Sequence, residues 1–323
     1  MNNFRRILKW TGILLILLFA VLFASGVVLY HKEYEAPFPD VHASTDSSII
    51  ARGKHLVYVT AHCPECHYQP KDSAMMANGE EIALAGGGFP FSFPGGTFYS
   101  KNISSDPETG IGKYTDQEIA RTLRYGVKRD GKVLIPTMEF QNISDEDLLA
   151  IVSFLRTIPP VKHQVPENEL NLLGKGIVAF LIRPVSPRTT PPSKVVAEPT
   201  AEYGRYIATE LSNCKGCHTQ RDRNTGNYIG EELAGGPVEV INGMTIVAPN
   251  LTPDEKTGHI YNWTFEQFKS RFSQGKLIPQ SIMPWGQFKN LDDVELMAIW
   301  KYLHSVKPAS KDNGPVLQPL AAE

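Results

Sequence analysis

Two short stretches hold the residues best suited to chemistry: Cys63-Pro64-Glu65-Cys66-His67 and Cys214-Lys215-Gly216-Cys217-His218. Between them they contain all four cysteines of the 323-residue chain. A Cys-x-x-Cys-His run reads as a site of covalent haem attachment. Two thiols at this spacing, on a turn leading into a helix, reach the two vinyl groups on one edge of the macrocycle. The histidine that follows then points a ring nitrogen at the iron. Cys63, Cys66, Cys214 and Cys217 are thus the predicted attachment residues, and His67 and His218 the proximal iron ligands. Disulfides, a redox-active dithiol and an all-cysteine zinc site are the competing uses. None of them requires a histidine directly after each pair, so the motifs predict two covalently bound haem c groups.

Each iron then needs a sixth ligand or keeps an open position. Met283, in Ile282-Met283-Pro284-Trp285, lies 65 residues after His218, and Met138, in Pro136-Thr137-Met138-Glu139, lies 71 after His67. A thioether is a soft iron ligand, and Met/His coordination raises the reduction potential relative to His/His. The competing use of either methionine is to fill an irregular core gap. The remaining histidines stand in no ligand-like grouping; His62, beside the first motif, is the one placed to neighbour a haem.

The motifs belong to an internal repeat. Gly53 and Gly204 each lie ten residues before the first cysteine of their motif. Leu84-Ala85-Gly86-Gly87 is answered by Leu233-Ala234-Gly235-Gly236, and Asn102-Ile103-Ser104-Ser105-Asp106 with Thr109-Gly110 by Asn250-Leu251-Thr252-Pro253-Asp254 with Thr257-Gly258. Each unit reads as helix, cysteine motif, long loop, helix, loop, helix. Thr115 with Glu118, and Thr264 with Gln267, are N-terminal capping boxes for the middle helices. The last helices begin near Ser144 and Asp292, carry apolar faces, and are followed by Pro159-Pro160 and Pro308. The glycine-rich stretches lack the Lys-Ser/Thr of a phosphate loop and read instead as loops packed on the cofactor.

The elements that position these units come from the ends and the middle. Arg5, Arg6 and Lys9 precede a twenty-residue uncharged run from Thr11 to Tyr30. As a helix that run rises about 30 Å, enough to cross a hydrocarbon core. Val27, Val28 and Leu29 continue it past the best cleavage site, Ala24-Ser25-Gly26, which predicts an uncleaved anchor with a cytoplasmic N-terminus and the rest on the periplasmic side. Prolines between residues 161 and 199 predict an extended connector. Inside it Ile177 to Ile182 is too short to span a membrane, and we expect it to pack on a haem domain. The expected organisation is a cytoplasmic tip and anchor (1–31), a tether (32–48), a first haem domain (49–160), the connector (161–199), a second haem domain (200–308) and a tail (309–323). The net charge of −2 gives no case for nucleic-acid binding.

Both Cys-x-x-Cys-His motifs, the Asn-x-Ser/Thr-x-Asp-x-x-Thr-Gly segments and Met283-Pro284-Trp285 resemble the bacterial di-haem cytochrome c family. They are similar also to the cytochrome subunits of membrane-bound alcohol, aldehyde and gluconate dehydrogenases. The resemblance implies an all-α fold: a transmembrane helix followed by two tandem cytochrome c-like domains. It implies electron transfer rather than catalysis, between a periplasmic or membrane dehydrogenase or quinol-linked complex and a respiratory acceptor. The implied partners are a dehydrogenase subunit, an oxidase or a soluble carrier. It also suggests that Pro237 offers a backbone carbonyl to the proximal histidine. The rival is a di-haem redox enzyme, peroxidase-like, with one open haem.

Overall fold

The computed structural model describes residues 2–222 and 227–320. Helix α1 (Asn2–Tyr30) is exposed, apolar and long enough to cross a membrane. The segment after it lies along the first unit. The Tyr34 amide donates to the Gly131 carbonyl, Arg121 covers the Phe38 ring at 4.2 Å, and Val41 is buried.

The first unit comprises α2 (Ser47–His55), α3 (Pro64–His67), α4 (Ser73–Ala77), β1 (Pro90–Phe93), β2 (Gly96–Tyr99), α5 (Asp116–Tyr125) and α6 (Asp145–Thr157). The connector carries β3 (Glu169–Leu170) and α7 (Leu172–Phe180). The second unit comprises α8 (Ala201–Tyr206), α9 (Cys214–His218), β4 (Gly236–Ile241), β5 (Met244–Ala248), α10 (Phe265–Ser273), α11 (Trp285–Phe288) and α12 (Asp293–Ser305), with β6 (Leu317–Pro319) following. The Thr115 and Thr264 capping boxes form as the sequence predicts, and Ser144 and Asp292 cap α6 and α12.

The expectation of an all-α fold is corrected. The chain is about 41% helical and also builds two three-stranded antiparallel sheets, in the orders β1-β2-β3 and β4-β5-β6. Part of the long loop after each cysteine motif is a hairpin. Asn242 and Gly243, both at positive φ (+51° and +75°), join β4 to β5 with Ile241 opposite Met244. An Asn-Gly pair between alternating apolar residues is a strong short-range hairpin signal. Each third strand comes from beyond its unit's last helix, β3 from the connector and β6 from the tail.

In each unit the first and last helices cross where only glycine fits. A Cβ on Gly53 would sit 1.9 Å from the Ala150 carbonyl oxygen, and one on Gly204 would sit 1.9 Å from that of Ala298. This contact explains why the repeat keeps a glycine ten residues before each motif. One apolar cluster runs through both units, including Leu56, Leu148, Ile207 and Leu296.

The units pack with an approximate twofold relation. Tyr206 of α8 donates to the buried Asp147 of α6 at 2.8 Å, and its hydroxyl accepts from the Ser144 amide at 2.9 Å. At the matching positions His55 of α2 bonds the buried Glu295 of α12 at 2.8 Å, and Thr60 donates to the same carboxylate at 2.9 Å. Thus a carboxylate in the first turn of each last helix is met by a side chain from the other unit's first helix.

Candidate haem centres

Both cysteine motifs are presented in the same way. The first helix of the unit runs into one π-helical turn (Leu56–Thr60, Ile207–Leu211). A single residue in the left-handed region, His62 (φ +40°) or Asn213 (φ +48°), then redirects the chain. The next short helix, α3 or α9, carries the motif. Its one turn puts the two cysteines, three apart, on one face. No cysteine is in a disulfide. Burial pushes the thiols of Cys63, Cys66 and Cys214 up to about 12, and raises that of Cys217.

The histidines are held at two points. The His67 carbonyl accepts from the Gly86 amide at 2.8 Å, and the His218 carbonyl from the Gly235 amide at 2.7 Å, which gives the glycine-rich segments their role. Nδ1 of His67 lies 2.7 Å from the Lys101 carbonyl oxygen, and Nδ1 of His218 lies 3.0 Å from that of Pro249. A carbonyl only accepts, so Nδ1 carries the proton in each ring and Nε2 keeps its lone pair. Burial holds both rings neutral, lowering His67 and taking His218 to about 4. The carbonyl expected from Pro237 comes instead from Pro249; Pro237 sits in β4, paired with Val247.

Lys101 and Pro249 each directly precede the repeated asparagine, and that asparagine fixes the carbonyl. Asn102 Nδ2 donates to Thr109 Oγ1 (3.1 Å) and to the Val161 carbonyl (2.8 Å); Asn250 Nδ2 donates to Thr257 Oγ1 (3.0 Å) and to the Ala309 carbonyl (2.7 Å). Asp106 and Asp254 accept from the amides of Thr109 and Thr257 at 2.7 and 2.8 Å. The repeated polar motif is therefore a clamp that aims a carbonyl at a histidine.

Met283 lies half-buried against the apolar cluster just before α11, beside Trp285, whose ring stacks under Arg271 at 3.6 Å. Met138 is half-buried in the loop before α6, its carbonyl bonded by Gln141 at 2.9 Å. Glu139, next to it, pairs with Arg221 at 3.1 Å, three residues past His218, so the Met138 loop touches the second motif's segment. His62 packs edge-on against Phe288 of the other unit at 5.3 Å, and its Nδ1 is sealed without a hydrogen-bond partner.

Among the described residues, His55, Asp292 and Glu295 form a grouping that resembles a cation site. Asp292 caps α12 and Glu295 bonds His55 and Thr60, so this cluster is the inter-unit network already described. The donors around the cysteine motifs do fit a covalently attached haem. Paired thiols are free on one face, and a neutral imidazole has one nitrogen anchored and the other available.

No protein-family model matches the chain. It is 28% identical over 291 residues to the fructose dehydrogenase cytochrome subunit of Gluconobacter japonicus, covering 86% of this chain and 56% of that one. It is 28% identical over 303 residues to the alcohol dehydrogenase (quinone) cytochrome c subunit of Gluconobacter oxydans, covering 86% and 59%. A diheme cytochrome c-type of Cereibacter sphaeroides is 28% identical over 303 residues, covering 88% of this chain and 95% of that protein. The chain spans between half and two thirds of the length of these two dehydrogenase subunits. The resemblance read from the motifs thus extends over most of the chain, to proteins named as cytochrome c and cytochrome subunits of dehydrogenases.

Proposed function

We propose that this chain is a membrane-anchored, di-haem c-type cytochrome that passes electrons from a dehydrogenase or quinol-linked complex to a respiratory acceptor. In this reading α1 is a single-pass anchor in the cytoplasmic membrane, and the haem domains, residues 49–160 and 200–308, face the periplasm. The observation that carries the reading is the doubled histidine geometry: two imidazoles, His218 buried and His67 half-buried, each with Nδ1 tied to a clamped carbonyl, one residue after a free thiol pair. A haem bound there supplies reversible one-electron chemistry at iron.

Cys63 and Cys66 hold one haem by thioethers, and Cys214 and Cys217 hold the other. His67 and His218 would supply Nε2 to the iron; the Lys101 and Pro249 carbonyls at Nδ1 orient the rings and would raise their basicity as ligands. Met138 and Met283 would each supply a thioether as a further iron ligand, which would leave no position for a substrate. The four thiols make two attachment sites, and a relative of nearly the same length is named diheme. A dehydrogenase partner follows from the names of the longer relatives.

The test is haem quantification and a redox-titrated spectrum of the full chain, produced with haem-maturation machinery. Two haems per chain, both low-spin with methionine–iron charge-transfer bands, are expected. Zinc in place of iron removes the reading; one high-spin haem transfers it to a peroxidase-like enzyme.

A further inference from the structure

The apolar patch Ile177 to Ile182, expected to pack on a haem domain, falls mostly in α7, which lies between α1 and the hairpin of the first unit. The Phe180 ring comes within 3.3 Å of where a Cβ on Gly26 would stand, and Lys175 Nζ lies 5.9 Å from the Tyr30 ring centroid. Moving along α7 from Lys175 to Phe180 therefore means moving back along α1 from Tyr30 to Gly26. Four residues of helix are about 6 Å, in the direction of the bilayer centre.

We propose that α7 is embedded in the headgroup–acyl boundary of the same bilayer that α1 crosses, and that it fixes the tilt of the first haem domain on the membrane. The proposal rests on reading α1 as the anchor. Its occupant is the lipid surface, because α7's apolar face is continuous with that of α1. Leu172, Leu173 and Leu181 are 63%, 56% and 72% exposed on a helix whose neighbour is uncharged from Thr11 to Tyr30. A depth of about 6 Å is within the range at which interfacial helices lie.

Two further features suit this place. Arg183 donates to the carbonyls of Ala179, Phe180 and Ile182 at 2.7 to 3.1 Å, closing the helix end with protein donors. Free carbonyls there would be costly away from water. The same guanidinium and Lys175 supply positive charge for lipid phosphates. At its other end α7 is bolted to the β1–β2 hairpin. Asn171 Nδ2 donates to the Pro94 carbonyl at 2.9 Å, and a Cβ on Gly174 would stand 2.0 Å from the Gly95 carbonyl oxygen. A helix held by both the anchor and the haem domain transmits the orientation of one to the other.

The full-length holoprotein is reconstituted in phosphatidylethanolamine/phosphatidylglycerol vesicles and labelled with a lipid-soluble carbene-generating diazirine, and its peptides are mapped by mass spectrometry. Label is expected in 4–30 and also in 172–183, where it exceeds that in the exposed loop 253–258 by about tenfold. Label in 4–30 with 172–183 no higher than the loop overturns the proposal and leaves the anchor standing. Equal background in both peptides overturns the anchor and the proposal together. Leu173→Glu/Leu181→Glu, with its haem spectrum unchanged, is expected to return 172–183 to the loop level; retained label there also counts against insertion.

Discussion

In His67 and His218 the carbonyl at Nδ1 fixes the proton there and leaves Nε2 with its lone pair. The proposed ligation makes sharp demands at this scale. Replacing Cys214 and Cys217 together with serine is expected to lower the pyridine-haemochrome yield from two haems per chain to one, leaving the first centre spectrally unchanged. Met283→Leu is expected to abolish one methionine–iron band and lower the potential of one haem; Met138→Leu does the same to the other. If a redox titration of either variant matches the parent, that methionine is core filling. The candidate thiols, imidazoles and thioethers can be named from the sequence because each has a side-chain identity and a spacing. The Pro249 carbonyl was not, since every residue has a carbonyl and only the folded clamp selects one. Arg221 beside Glu139 was equally hidden, because no local pattern joins positions 82 residues apart.

At the scale of elements, the helix crossings give the clearest prediction. Alanine in place of a helical glycine ordinarily stabilises by about 0.5–1 kcal/mol. Gly176→Ala in α7, with nothing within 4 Å of the added methyl, is expected to follow that rule. Gly204→Ala is expected to reverse its sign and cost about 1–3 kcal/mol, because the obstacle is a backbone carbonyl that no rotamer change can move. Denaturant midpoints of the two variants in detergent separate the cases; a stabilised Gly204→Ala would deny the close crossing. The helices around the motifs were readable from caps and apolar periodicity, which act over three or four residues. The sheets were not anticipated, although Asn242-Gly243 between alternating apolar residues carried a hairpin signal. The glycine-rich stretches at Gly86-Gly87 and Gly235-Gly236 read as loops against the cofactor, and the third strands arrive from the proline-rich connector and from a tail that reads as irregular. Helix α7 had the right apolar content, but its neighbour, α1, lies about 150 residues away and has no local signature.

At the scale of the whole molecule, the two units are joined by buried charge as well as by apolar surface. Burial alone would raise the pKa of Glu295, but the His55 hydrogen bond and charge, the Asp292 amide and the Thr60 hydroxyl together hold it below its ordinary value of 4.5. A carboxylate with a lowered folded-state pKa contributes its full stability above the unfolded value, and loses it as pH falls through the folded one. Unfolding free energy is therefore expected to fall with pH below about 4.5, partly through this residue. Glu295→Gln is expected to cost about 1–3 kcal/mol at pH 7, with a shallower acid limb. Parallel acid limbs for parent and variant would remove Glu295 from that role. A double-mutant cycle with His55→Ala measures the coupling across the units directly.

The paired network of Tyr206 with Asp147 and His55 with Glu295 has a consequence for ancestry. A symmetric contact between repeats is what remains when a homodimer is fused into one polypeptide, since a self-complementary surface needs the same patch twice. Fusion then frees each patch to change alone, and here it has: tyrosine faces aspartate at one corner, histidine faces glutamate at the other. Two identical subunits are bound to hold two identical centres. One chain is not, and can keep the geometry of a dimer while its two cysteine-motif sites diverge.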